Sequence, residues 1–144
     1  MEKQVQIDGK KYQLIYKGLT NRIYRDTFGE DCLSRLQEMQ WAINVSLQTM
    51  AQETDNVDDY TRSVMLSKAV DNEFIERLVW ASIKASKKNK KFPTPTDFVD
   101  NVEQYNVLID VGISWMLEIF KAMNPTVEPE ETETEDAQDT KKLA

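Results

Sequence analysis

A mainly α fold, with four to six helices and an N-terminal β-hairpin, is what this 144-residue sequence predicts. Apolar residues recur at spacings of three and four through much of residues 20–124, the mark of helices with one buried face. Near the start, an Asp-Gly pair sits between two short alternating runs, a hairpin signal. From residue 125 onward apolar content nearly vanishes. The chain is expected to divide into one helical domain, residues 1–124, and a disordered acidic tail, residues 125–144.

The hairpin should occupy about residues 3–17. Asp8-Gly9 suits the two positive-φ positions of a type I′ turn, which matches the twist of the flanking strands. With that turn, Ile7 faces Lys10 and Val5 faces Tyr12. Val5, Ile7, Tyr12, Leu14 and Tyr16 then share one face, because side chains alternate along each strand. A lone hairpin is marginal in water, so this face must pack on the helices or on another chain.

Beyond Gly18, Thr20 is placed to cap a first helix over residues 21–28, with Ile23, Tyr24 and Phe28 inward and Gly29 as its stop. Asp31 caps a longer helix whose apolar steps are Leu33, Leu36, Met39 or Gln40, Ile43, Leu47 and Met50. Trp41 falls off that stripe and reads as core edge. Residues 52–59 are polar and rich in turn formers, a loop. Tyr60 to Val70 reads as a further helical stretch, with Asp71 or Asn72 either capping the next helix or lying within one continuous helix.

Two apolar segments then carry most of the core bulk. Phe74, Ile75, Leu78, Val79 and Ile83 mark the first, and Val102, Tyr105, Ile109, Ile113, Met116, Leu117 and Phe120 the second. Trp80 and Trp115 sit one in each. The connector holds Lys84, Lys87, Lys88, Lys90 and Lys91 beside Phe92, a compact positive patch. Pro93 and Pro95 forbid helix through its middle, and Thr96 can cap the next helix. Asn106 is a candidate break in the last helix. Gly112 inside it marks either a close helix approach or a tolerated defect.

Function classes are narrowed by what is missing. There is no histidine, which removes the commonest general base and zinc ligand. The four glycines are scattered, so no phosphate cradle is present as a motif, and no acid spacing matches a calcium loop. We expect no catalytic residue, no metal site and no cofactor. The single cysteine, Cys32, cannot form an internal disulfide and reads as a small helix-start residue in a reducing cytoplasm. No apolar run approaches a membrane span, and the opening residues lack the apolar centre of a secretory signal. Of the net charge of −7, the segment from Pro125 carries seven acids and two lysines, or −5, which leaves −2 for the domain.

The stretch VQIDGKKYQLIYKGLTNRIYRDTFGEDCL, the helix FIERLVWASIKASKK with its Leu78–Ala81 centre, and the proline-led FPTPTDFVDNVEQYNVLIDVGISWMLEIF occur in that order across residues 5–120. In that order they resemble the tail assembly chaperones of long-tailed bacteriophages of Gram-positive hosts. The resemblance implies a helical, non-catalytic protein of the host cytoplasm. Such a protein coats the tape measure protein, recruits tail tube subunits, associates with its own copies, and is absent from the finished virion. It also implies a longer form made by ribosomal frameshifting, for which the Lys141-Lys142 codons are a candidate slippery site. For this role the contact candidates are the hairpin face at Tyr12, Leu14 and Tyr16, the tryptophans Trp41, Trp80 and Trp115, and the patch of Lys87, Lys88, Lys90, Lys91 and Phe92. Each of the apolar ones is also an ordinary core position when taken singly. A nucleic-acid-binding regulator using Lys84–Lys91 is the alternative, against which stands the acidic charge of the whole.

Overall fold

The computed structural model of the chain describes residues 1–52, 58, 64, 67–87 and 90–124. Strands β1 (Glu2–Ile7) and β2 (Lys10–Ile15) precede helices α1 (Gly18–Phe28), α2 (Cys32–Gln52), α3 (Asn72–Lys87), α4 (Pro95–Asp100) and α5 (Tyr105–Met123). Among the described residues, 64 and 67–69 are helical as well. The expected loop at 52–59, the helix from Tyr60, Lys88 and the tail 125–144 lie wholly or largely outside the described residues.

The hairpin forms in the expected register, with Val5 opposite Tyr12 and Ile7 opposite Lys10. Asp8 at φ 55° and Gly9 at φ 77° make its turn, both positive as a type I′ turn requires. Ile7 and Leu14 are fully buried, and Val5, Tyr12 and Tyr16 pack against the core. The hairpin face therefore closes on the chain's own helices.

Two caps differ from expectation, and the last segment breaks slightly earlier than Asn106. Helix α1 starts at Gly18, and Thr20 sits inside its first turn. There Thr20 Oγ1 accepts from the Lys17 backbone N–H at 3.2 Å and donates to the Ile15 carbonyl at 2.7 Å. A buried hydroxyl so placed ties β2 to α1, which explains why the helix can begin early. Helix α4 is capped by Thr94, whose hydroxyl accepts from Asp97 N, because Pro95 fits the first helical position and leaves Thr96 within the turn. The last segment breaks at residues 101–104, just before Asn106. Asp8 of the hairpin turn fills that break: its carboxylate accepts from Glu103 N at 2.8 Å and Gln104 N at 2.9 Å.

The other ends behave as read. Gly29, left-handed at φ 72°, closes α1, and Asp31 caps α2 through the Ser34 backbone N–H at 2.9 Å and hydroxyl at 2.7 Å. Asp71 Oδ1 accepts from Glu73 N, so α3 is a new helix after a bend at Val70.

Helix α3 is the centre of the molecule. It touches β2, α1, α4 and α5, and buries Phe74, Ile75, Leu78, Val79, Trp80, Ala81, Ser82, Ile83 and Ala85. A helix enclosed on nearly every side needs close neighbours, and Gly112 of α5 provides one. A Cβ at Gly112 would lie 2.2 Å from Ile75 Cγ2 and 2.9 Å from Val79 Cγ2, so the close-approach reading holds. This crossing also rotates α5. Its buried line is Leu108, Gly112, Trp115, Met116, Ile119 and Phe120, while Tyr105 and Leu117 are exposed, against the stripe expected from spacing.

Candidate interaction surface

Helix α2 is built with two faces of unequal purpose. Cys32, Leu36, Met39 and Met50 are buried and Ile43 is partly buried, stepping by three and four as a core stripe does. The expected members Leu33 and Leu47 are exposed instead. Trp41 is 70% exposed, which corrects its core-edge reading. At 3.6 residues per turn it lies about half a turn round the helix from Cys32, Met39 and Met50. Val45, one turn on, is exposed beside it. Ser34, Gln37, Glu38 and Ala42 line a shallow depression with Trp41.

The chemistry of this face is distinctive for a chain that is 30% charged: residues 39–52 contain no charged side chain. Single exposed apolar residues are ordinary. An exposed tryptophan backed by a valine one turn away, on a helix segment without charge, is the arrangement that a partner helix can cover. The signal was present in the sequence as that uncharged run. Periodicity alone assigned Leu33 and Leu47 to the core and left Trp41 at its border, because a helix apolar on several sides fits more than one stripe.

The remaining candidates fall inside. Trp115 is fully buried and its indole N–H donates to the Ser82 hydroxyl at 2.9 Å. Trp80 is 5% exposed and donates to the Pro93 carbonyl at 2.8 Å, which holds the connector on the core. Leu14 is fully buried, and Tyr12 and Tyr16 are half-buried, Tyr16 donating to Asn21 at 3.0 Å. Trp80, Trp115 and Leu14 thus present almost no surface to a partner; their size was legible, but size does not report direction. Phe92 is half-buried among Phe98, Trp80 and Tyr12, with ring centroids 5.3, 6.3 and 6.5 Å away.

The lysines do cluster. Lys84 and Lys87 occupy the last turns of α3, where cations oppose the negative end of the helix dipole. The Lys87 ammonium lies 5.8 Å from the centre of the Phe92 ring, and Lys90 and Lys91 come next in the open. No carboxylate of the described residues pairs with any of these four.

A polar network joins α1, α2 and α3, and no motif in the sequence announces it. Glu30 accepts from the Tyr24 hydroxyl at 2.6 Å and from Arg77 at 3.2 Å. Arg35 reaches Asp71 at 2.6 Å and also Glu38, and stands 5.4 Å over Phe74. Burial and the Glu30 carboxylate push the Tyr24 phenol far above its ordinary range, so it stays a donor. Every member is satisfied by another, as a structural network requires. Burial likewise pushes the Cys32 thiol up to about 12, leaving an inert core thiol. Among the described residues no group of three or more acids or cysteines could hold a metal ion, and no helix is long and apolar enough to cross a membrane.

Comparison with protein-family models, curated proteins and solved structures gave no match.

Proposed function

We propose that this protein is a tail assembly chaperone of a long-tailed bacteriophage, which binds a tape measure protein through the outward face of α2. The observation that carries this reading is Trp41, 70% exposed with Val45 beside it on a helix segment free of charge. A long, aggregation-prone client needs a cover that is apolar where it touches and acidic elsewhere, and both qualities are present. Recruitment of tail tube subunits, self-association, action in the host cytoplasm and absence from the virion belong to the same proposal. So does a frameshift-extended form, which the codons of Thr140–Lys142 would test. The alternative use of Lys84–Lys91 on nucleic acid lacks a free stacking partner, since Phe92 packs among Tyr12, Trp80 and Phe98.

Co-expression of the full chain with a tape measure protein tests the proposal. The client's soluble fraction should rise, and the two should co-purify. Trp41→Ala should weaken the complex by about 2 kcal/mol, roughly thirtyfold, as loss of a central aromatic anchor does. No gain in client solubility with the parent chain would sink the reading.

A further inference from the structure

The hairpin is a two-stranded sheet, and the turn decides which backbone groups point away from it. In a two-residue type I′ hairpin the pair flanking the turn, Ile7 and Lys10, exchanges backbone bonds. Bonded pairs then alternate along the ladder. The far end agrees, for Met1 and Tyr16 exchange both bonds, at 2.9 and 3.1 Å. Met1, Lys3, Val5 and Ile7 therefore direct their N–H and C=O groups at β2, whereas Glu2, Gln4 and Gln6 aim theirs away from it. Among the described residues nothing receives these outward backbone groups, and all three residues are exposed. The other strand is better covered: β2 lies against α3, and its Ile15 carbonyl accepts from Thr20 Oγ1 at 2.7 Å.

Open edges are commonly guarded by proline, a bulge or an inward-pointing charge. Strand β1 has no proline, and its register runs unbroken from Glu2 to Ile7. Its inward charge, Lys3, is already engaged by Glu118 and Ser114 of α5. Those bonds also set β1 beside one flank of α5. There the exposed Met1 and Leu117 line a shallow hollow with Ser114, Glu118 and Lys121. We propose that β1 pairs antiparallel with β1 of a second copy, about a two-fold axis at Gln4, joining two hairpins into one sheet.

Charge selects this register. Outward-aimed residues must face one another, so the strands can slide only in steps of two residues. Centred on Gln4, Glu2 faces the partner's Gln6, Lys3 faces the partner's Val5, and Gln4 faces the partner's Gln4, so no like charges meet. A slide one way sets Lys3 against the partner's Lys3. A slide the other way sets Glu2 against the partner's Asp8. Like charges directly opposite are destabilising, which leaves the centred register. The two-fold axis keeps both inward faces on one side of the joined sheet, so the α5 flanks approach and Met1 and Leu117 are covered. This contact gives the self-association of the proposed role a surface, and it stands on the hairpin alone, independent of any client at Trp41.

Sedimentation equilibrium of the full, untagged chain tests the pairing. A reversible dimer is expected, with the Gln4 and Gln6 amides exchanging at least about tenfold more slowly as the dimer fills. Gln4→Pro removes an outward N–H that the hairpin does not use. The fold should persist, by circular dichroism, while the dimer weakens about tenfold or more. Gln4→Lys and Gln4→Glu each set like charges across the axis and should weaken the dimer roughly two- to fivefold. Mixed together, these two variants should form a heterodimer at least as tight as the parent, a rescue that only pairing at Gln4 predicts. Trp41→Ala should leave the dimer unchanged. A chain that stays monomeric up to the millimolar range would overturn the proposal. So would a dimer indifferent to all three changes at Gln4, or one lost with Trp41→Ala, which would place the contact on α2. A monomeric parent whose co-purification with a tape measure protein is lost on Gln4→Pro would assign the edge to the client and overturn it as well. A dimer with the expected Gln4 rescue and no gain in client solubility would sink the chaperone role and leave this contact standing.

Discussion

At the scale of single residues, Gly112 and Trp41 show how position decides meaning. Alanine normally stabilises a helix by about 1 kcal/mol over glycine. At Gly112 the added Cβ would meet Ile75 Cγ2 at 2.2 Å, and β-branched side chains cannot swing aside. Overpacking costs about 1–3 kcal/mol, so Gly112→Ala should lower the urea midpoint instead of raising it. Trp41→Ala should leave stability within about 0.5 kcal/mol of the parent, as exposed substitutions do. Residue type made both positions conspicuous in the sequence; only their neighbours separate a packing constraint from a contact surface. Ser82 is a third case. Ser82→Ala would leave the buried Trp115 N–H without an acceptor, at about 1–3 kcal/mol, whereas the sequence offers no sign that these two residues meet.

At the scale of elements, ends matter more than middles. The Asp31 carboxyl is held below its ordinary value by the Ser34 hydroxyl and backbone N–H. Its support of α2 is therefore full at neutral pH and is lost as pH falls through the lowered folded value. Parent and Asp31→Ala chains should differ in thermal midpoint at pH 7 and converge in acid below the ordinary carboxyl range. The hairpin turn and α5 are similarly joined by Asp8. Asp8→Ala removes the acceptor for Glu103 N and Gln104 N and leaves a side chain ill suited to φ 55°. A loss of about 1–2 kcal/mol is expected, with Asp8→Asn milder because asparagine tolerates that φ and can accept one bond. The hairpin, α1's stop and α2's cap were legible because each depends on residues adjacent in sequence. The starts of α1, α4 and α5 were displaced or reinforced by partners elsewhere, at Ile15, at the connector and at Asp8.

At the scale of the whole molecule, one helix is enclosed by the rest, and the surface left over is divided by charge. Helix α3 supplies the centre, the hairpin and α5 close on it, and Arg35, Glu30, Asp71 and Arg77 fasten α2 across one side. Cys32 offers a probe of this closure: with its thiol pushed up to about 12, native protein should resist alkylation at pH 8 and react only as it unfolds. Sequence by itself determined the helical class, the hairpin with its register, and α3 as a core helix. Period, turn chemistry and bulk are local properties of a chain. Tertiary structure alone decided that Trp80 and Trp115 turn inward while Trp41 turns out, and that α5 is rotated about Gly112. Those outcomes depend on which faces meet, and a face belongs to two elements at once.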